Sequence, residues 1–168
     1  MALPIIDPKL SFVTPLNKRL ETRQLVLHHV GKEKCSVQDI HSLYLAETWS
    51  GIGYNFYIRK DGSIYKGRGW EYVGAHTLHC NSSSIGICFE GDYEKEQSMP
   101  TLQFKAGVSL IIEAISKYPS IEAVHKHSEV GATECPGKYF PFEIMVDEGT
   151  ARGFLLDQRL TFNYIENP

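Results

Sequence analysis

The stretch "QLVLHHV", residues 24 to 30, sets two adjacent histidines into an otherwise apolar run. Its length and composition read as a buried β-strand, and strand side chains alternate between faces. Leu25, Leu27 and His29 then share one side, while Val26, His28 and Val30 share the other. The two imidazoles point in opposite directions, so no more than one of them can serve a given site.

Working outward, residues 1 to 22 contain Pro4, Pro8 and Pro15 with weak periodicity and read as an extended arm. Past the strand, "SVQDIHSLYLAETW" predicts a helix: Ser36 and Asp39 form a capping box, and Val37, Ile40 and Tyr44 share one face. "YNFYIRKDGSIYKGR" predicts a hairpin with Asp61-Gly62 as a two-residue turn. "SIGICFEGD" predicts another strand, with Ile85, Ile87 and Phe89 on one side and Cys88 filling an apolar position. "TLQFKAGVSLIIEAISKYP" predicts the longest helix, since Phe104, Val108, Ile111, Ile115 and Tyr118 follow helical spacing and Pro119 ends it.

"IEAVHKH" reads as a short strand or extended segment, and "SEVGATECPGKYF" as a loop punctuated by Gly and Pro. After about residue 148 the pattern weakens into a mixed tail around Gly149 and Gly153. The order of elements implies a mixed α/β fold, a central mixed β-sheet flanked by helices.

The chain of 168 residues is sized for one domain with a real core, and 42% hydrophobic with 22% charged residues is ordinary for a globular protein. A net charge of −3 gives no general reason to expect nucleic acid or an anionic membrane as partner. Four scattered cysteines, at 35, 80, 88 and 135, do not read as a disulfide scaffold, so reduced thiols are expected. No basic segment followed by a long apolar run opens the chain, and no stretch approaches transmembrane length; synthesis in the cytosol without a signal peptide is expected.

Chemistry concentrates on the histidines at 28, 29, 41, 76, 79, 125 and 127. His41, in a helix, is expected to be structural or exposed, and His79 has no assignable role. A catalytic zinc site needs three ligands from separate elements and a fourth position for water. His28, a histidine of "HKHSEVGATEC" and Cys135 are able to supply the three, but strand histidines also serve as hydrogen-bonded core residues, and spacing alone leaves both readings open.

The segment "GIGYNFYIRKDGSIYKGRGWEYVGAHTLHCNSSSIGICFEGDY", residues 51 to 93, resembles the central region of peptidoglycan recognition proteins and type 2 N-acetylmuramoyl-L-alanine amidases, including the amidase-type lysozymes of phages. "VLHHV" resembles their first metal strand and "HSEVGATECPGKYF" their closing metal loop, and the likeness spans about residues 23 to 142. It implies a zinc ion held by His28, His127 and Cys135, with His29 turned to the opposite side into packing and a hydrogen bond. It implies Tyr54 as the catalytic tyrosine, with Thr133, where some members carry lysine, as a second hydrogen-bonding group. It also points to His76 and Asn81 as substrate contacts. Trp70 offers a flat face for a sugar or peptide, or else plain core. A subset of bacterial relatives places glutamate where this chain has Cys88 and aspartate in place of the cysteine ligand; the chain departs from that subset at both positions. Glu90 matches no catalytic position.

The implied function is hydrolysis of the amide between N-acetylmuramic acid and L-alanine of peptidoglycan or muropeptides, by a phage or prophage endolysin that reaches the wall from the cytoplasm. A monomer without stable membrane insertion or a second, wall-anchoring domain is expected, with an arm (1–22), a catalytic domain (23–148) and a C-terminal tail (149–168). The alternatives are a peptidoglycan-binding module that does not cut, a cytosolic muropeptide-recycling amidase, and a cysteine hydrolase with Cys135 as nucleophile and His127 as base.

Overall fold

A computed structural model describes residues 3–165, with side chains through Gly153. In chain order the elements are β1 (Ile5–Ile6), β2 (Gln24–His29), α1 (Val37–Ala46), β3 (Phe56–Ile58), β4 (Ile64–Lys66), β5 (Ser84–Phe89), α2 (Thr101–Lys117), β6 (Ala123–Lys126), α3 (His127–Val130) and α4 (Phe142–Ile165). The strands form one mixed sheet in the order β1-β4-β3-β5-β2-β6, in which only β3 and β4 run antiparallel. The mixed α/β architecture expected from the order of elements is the one found.

β2 is apolar because it lies between two parallel neighbours, β5 and β6, with both faces covered. Leu25 and Leu27 join Ile85, Ile87 and Phe89 of β5 in a core that also takes Leu110, Ile111, Ala114 and Ile115 of α2 and Met145 of α4. The opposite face carries a smaller core of Val37, Ile40, Ile52, Tyr57 and Cys88, with α1 lying over it. Burying a Leu or Ile side chain is worth about 1.5–3 kcal/mol. Slipping β2 by one residue would drive His28 into the larger core and Leu27 out of it, so packing fixes the register and, with it, the direction of His28.

The capping box of α1 forms as anticipated: Ser36 Oγ accepts from Asp39 N at 3.0 Å, and Asp39 Oδ2 accepts from Ser36 N at 2.8 Å. His41 is structural. Its Nδ1 accepts from Ile52 N at 3.1 Å and its Nε2 donates to Ser11 O at 3.0 Å, tying the N-terminal arm to the body. All four cysteines are free thiols. No helix among the described residues is long and apolar enough to cross a membrane.

Four details differ from the sequence reading. The arm contributes β1, two residues that are too few to leave a periodic signal. The hairpin turn spans three residues, not two: Arg59 pairs with Ser63, and Gly62 takes the left-handed conformation (φ 85°) that closes such a loop. The loop after β6 opens with the single turn of α3.

Most consequential, residues 142–165 form one helix, so the division expected at residue 148 falls inside α4. Gly149 and Gly153, which read as helix-weakening, are where α4 presses on α2. A Cβ at Gly149 would lie 2.7 Å from Ile111 Cγ2, and one at Gly153 would lie 3.2 Å from Ile115 Cβ. Spaced one helical turn apart on one face, they admit the close approach that a larger residue would prevent.

Candidate metal centre

The parallel pairing of β2 with β6 brings the ends of both strands to the same edge of the sheet. His28 is the fifth residue of β2 and is buried; His127 follows β6 directly as the first residue of α3. The chain then doubles back, with Ser128 N donating to Cys135 O at 2.8 Å, and this returns Cys135 to the end of β2. Ligand atoms of His28, His127 and Cys135 lie within 4.8 Å of one another, and this is the metal-capable His/Cys/Asp/Glu cluster among the described residues.

Its geometry suits zinc. His28 Nδ1 and Cys135 Sγ are 3.8 Å apart. A tetrahedral zinc at about 2.0–2.1 Å from nitrogen and 2.3 Å from sulfur would separate such atoms by about 3.6 Å. Burial lowers the pKa of His28 well below the usual histidine range, with the neighbouring His76, His127 and His29 acting the same way; burial also lowers His127. Both imidazoles are therefore held neutral, the form that binds a metal. Burial pushes the Cys135 thiol up to about 11, partly offset by the His29 amide. That amide donates to Cys135 Sγ at 3.4 Å, an arrangement that favours a thiolate once a cation is present. Thr133 Oγ1 accepts from Cys135 N at 3.1 Å and steadies the ligand loop.

The other histidines sort by contact. His29 points away from the cluster, as strand alternation requires, and its Nδ1 accepts from Tyr93 N at 3.0 Å. His125 is drawn aside toward Glu129, with Nδ1 3.5 Å from the carboxylate.

Tyr54 stands over the cluster, its ring centroid 5.1 Å from that of His28. Burial raises its phenol well above the usual tyrosine range, reinforced by Cys88, Tyr44 and Cys135, so the hydroxyl stays a hydrogen-bond donor. Tyr44, which sequence spacing assigned only to the buried face of α1, lies edge-on to Tyr54 at 5.9 Å and to Trp49 at 6.2 Å. Trp49 is 53% exposed and, with Leu43, Tyr44, Glu47 and Ala75, lines a shallow cavity of about 310 Å³. The sequence signal for this wall is a large aromatic, Trp49, five residues before Tyr54.

His76, Asn81 and Trp70, the expected substrate contacts, each make contacts within the chain. His76 is buried, and its Nδ1 lies 3.0 Å from His28 Nε2, behind the ligand and away from solvent. Burial, aided by the neighbouring His127, Arg68 and Arg19, lowers its pKa to about 3. Asn81 spends its Oδ1 on the amides of His76 and Thr77, at 2.8 and 3.0 Å, holding that turn closed. Trp70 packs on Phe56 at 4.3 Å within the larger core, on the opposite side of the sheet from the cluster. This packing accords with the plain-core reading of Trp70. Glu90 is buried and fully engaged: its oxygens accept from Cys35 N, Lys60 N and the Arg59 guanidinium at 2.9–3.2 Å.

Residues 18–138 match the family described as N-acetylmuramoyl-L-alanine amidase. Peptidoglycan-recognition protein SC2 of Drosophila melanogaster is 37% identical over 123 residues, 67% of this chain and 66% of that protein's own length. An endolysin of Klebsiella phage KP32 is 30% identical over 126 residues, covering 71% of this chain and 83% of the endolysin. Among solved structures, the N-acetylmuramoyl-L-alanine amidase LysC from Clostridium intestinale superposes with a TM-score of 0.83 at 35% identity, over 88% of this chain and 97% of that one.

Proposed function

The chain belongs to the N-acetylmuramoyl-L-alanine amidase family, and we propose that it hydrolyses the amide between N-acetylmuramic acid and L-alanine in peptidoglycan or muropeptides, with zinc held by His28, His127 and Cys135. The observation that carries this reading is the convergence of those three side chains, from two strand ends and a returning loop, to within 4.8 Å. When bound in a three-ligand site, zinc supplies a nucleophilic water near neutral pH and polarises the carbonyl.

The chain's own residues do the rest. Tyr54 donates its hydroxyl to the carbonyl oxygen as negative charge develops there. Thr133, whose oxygen already accepts the Cys135 amide, keeps its hydroxyl hydrogen for the substrate. Trp49 and Tyr44 form the aromatic wall along which the glycan or stem peptide lies. Likeness to an endolysin supports action on the bacterial wall.

Cys135 as a nucleophile is the weaker reading, because burial holds its thiol at about 11 and leaves little thiolate at neutral pH. Likeness to peptidoglycan-recognition proteins supports binding without cutting, but the presence of Cys135 in the cluster favours hydrolysis. Metal analysis of purified protein tests the assignment. We expect one zinc per chain, its loss in His28→Ala, His127→Ala or Cys135→Ala together with wall clearing, and its retention in His125→Ala. Full zinc occupancy in His28→Ala would refute the ligand set.

A further inference from the structure

We propose that His76 is a positioning residue for His28, fixing the ring's orientation and tautomer so that Nδ1 is the nitrogen presented to the metal; the proposal rests on the zinc-binding reading above. His28 Nδ1 faces Cys135 Sγ at 3.8 Å, while Nε2 points the other way, 3.0 Å from His76 Nδ1. A neutral imidazole that gives Nδ1 to a metal carries its hydrogen on Nε2. That hydrogen is then donated to His76 Nδ1, with Thr77 Oγ1 a second acceptor 3.4 Å from the same nitrogen.

The polarity runs on without conflict. If His76 accepts at Nδ1, its own hydrogen sits on Nε2, which is 3.4 Å from Ser84 Oγ. Ser84 in turn donates to the carbonyl of Cys80 at 2.8 Å. Donation running from His28 to His76 to Ser84 to a backbone carbonyl gives each member a partner, and a backbone carbonyl at the far end accepts only; Thr77 Oγ1, 3.0 Å from His76 Nδ1, fits the same direction by donating its hydrogen to that nitrogen.

The slot that holds His76 is built for a ring. A Cβ at Gly74 or at Gly86 would lie 2.4 Å from His76 Cδ2, so both positions must lack one for the imidazole to enter. His76 as a residue is 8% exposed. Asn81 braces the backbone on either side of it. Strand, turn and cradle thus converge on one contact, the edge of His28 opposite the metal.

The test compares wild type with His76→Phe, which keeps the ring volume without an acceptor, and His76→Asn, which restores an oxygen near the position of Nδ1. Zinc affinity is read by competition with a chromophoric chelator, and folding by circular dichroism and thermal unfolding. Loss of a hydrogen-bond partner of a metal-bound histidine typically costs roughly 10- to 100-fold in metal affinity. We expect that loss in His76→Phe and recovery of most of it in His76→Asn. Imidazole nitrogen NMR on the wild type needs no variant: His28 should carry its hydrogen on Nε2 in the metal-free protein and bind zinc through Nδ1. A His28 hydrogen on Nδ1, zinc bound through Nε2, or a folded His76→Phe with wild-type zinc affinity would each overturn the proposal. So would weakened muropeptide binding at unchanged zinc affinity, which would make His76 a substrate contact. Failure of wild type to bind zinc at all would instead overturn the metal reading, and the metal-free NMR result would still judge the His28–His76 bond.

Discussion

Tyr54 is the side chain whose substitution separates chemistry from binding. Its hydroxyl is proposed to meet charge that exists only in the transition state, so its removal belongs in kcat and not in zinc content or wall affinity. Tyr54→Phe should keep its zinc and bind wall normally while kcat falls by roughly 100-fold or more, the usual worth of one oxyanion donor. Stopped assays on a soluble muropeptide check this, and an unchanged kcat would remove Tyr54 from the mechanism. Single residues were unevenly legible. Strand alternation put His28 and His29 on opposite faces, and the resemblance chose His28 between them. His125 and His127, two apart, would share a face in a continuing strand, and only the switch from β6 into α3 turns His127 toward Cys135. The packing of Trp70 was not legible, because neither spacing nor composition says which side of a sheet a loop folds onto.

At the scale of elements, the packing of α4 on α2 makes a prediction that runs against propensity. Replacing glycine by alanine within an exposed helix normally gains about 1 kcal/mol. Gly149→Ala should instead destabilise, because its Cβ would meet Ile111 at 2.7 and 2.9 Å and that β-branched side chain is fully buried. Overpacking of this kind costs about 1–3 kcal/mol, so thermal unfolding should shift downward. A higher Tm would mean that α4 does not press on α2 at this point. The same glycines explain why the helix was missed in the sequence: they serve a contact across elements, while sequence periodicity reports only the helix itself. The capping box at Ser36, by contrast, is local chemistry, and it was legible to the residue.

For the whole molecule, Glu90 is the knot that ties the end of β5 to the β3–β4 hairpin and to the segment leading into α1. Burial alone would raise its carboxyl pKa, but hydrogen bonds from Arg59 and from the Lys60 and Cys35 amides outweigh it, and the pKa is lowered from 4.5. A carboxyl lowered on folding stabilises the protein above its unfolded value, and that stabilisation is lost as pH falls through the folded one. Glu90→Gln turns an amide donor toward donors already present, and losing a hydrogen bond to a charged group costs about 1.5–3 kcal/mol. Denaturant unfolding should show the variant less stable at pH 7 and the gap to wild type shrinking toward pH 3. A gap independent of pH would mean the carboxylate is not held as described. In the sequence Glu90 stood out only as a carboxylate without a catalytic partner, because its partners come from three separate segments.

The central claim is that this sheet and its loops hold a metal for cutting an amide. Glycosidic cleavage normally uses two carboxylates flanking the scissile oxygen; here Glu90 is locked in its ion pair with Arg59 and Glu129 is turned to His125. The direct measurement is digestion of purified cell walls, following new N-terminal alanine, new reducing sugar ends and turbidity in the same reaction. The account predicts that alanine termini rise as turbidity falls, that reducing ends do not, and that a chelator stops both changes until zinc is restored. Reducing ends that rise while alanine termini stay flat would contradict it, even in a protein that carries zinc.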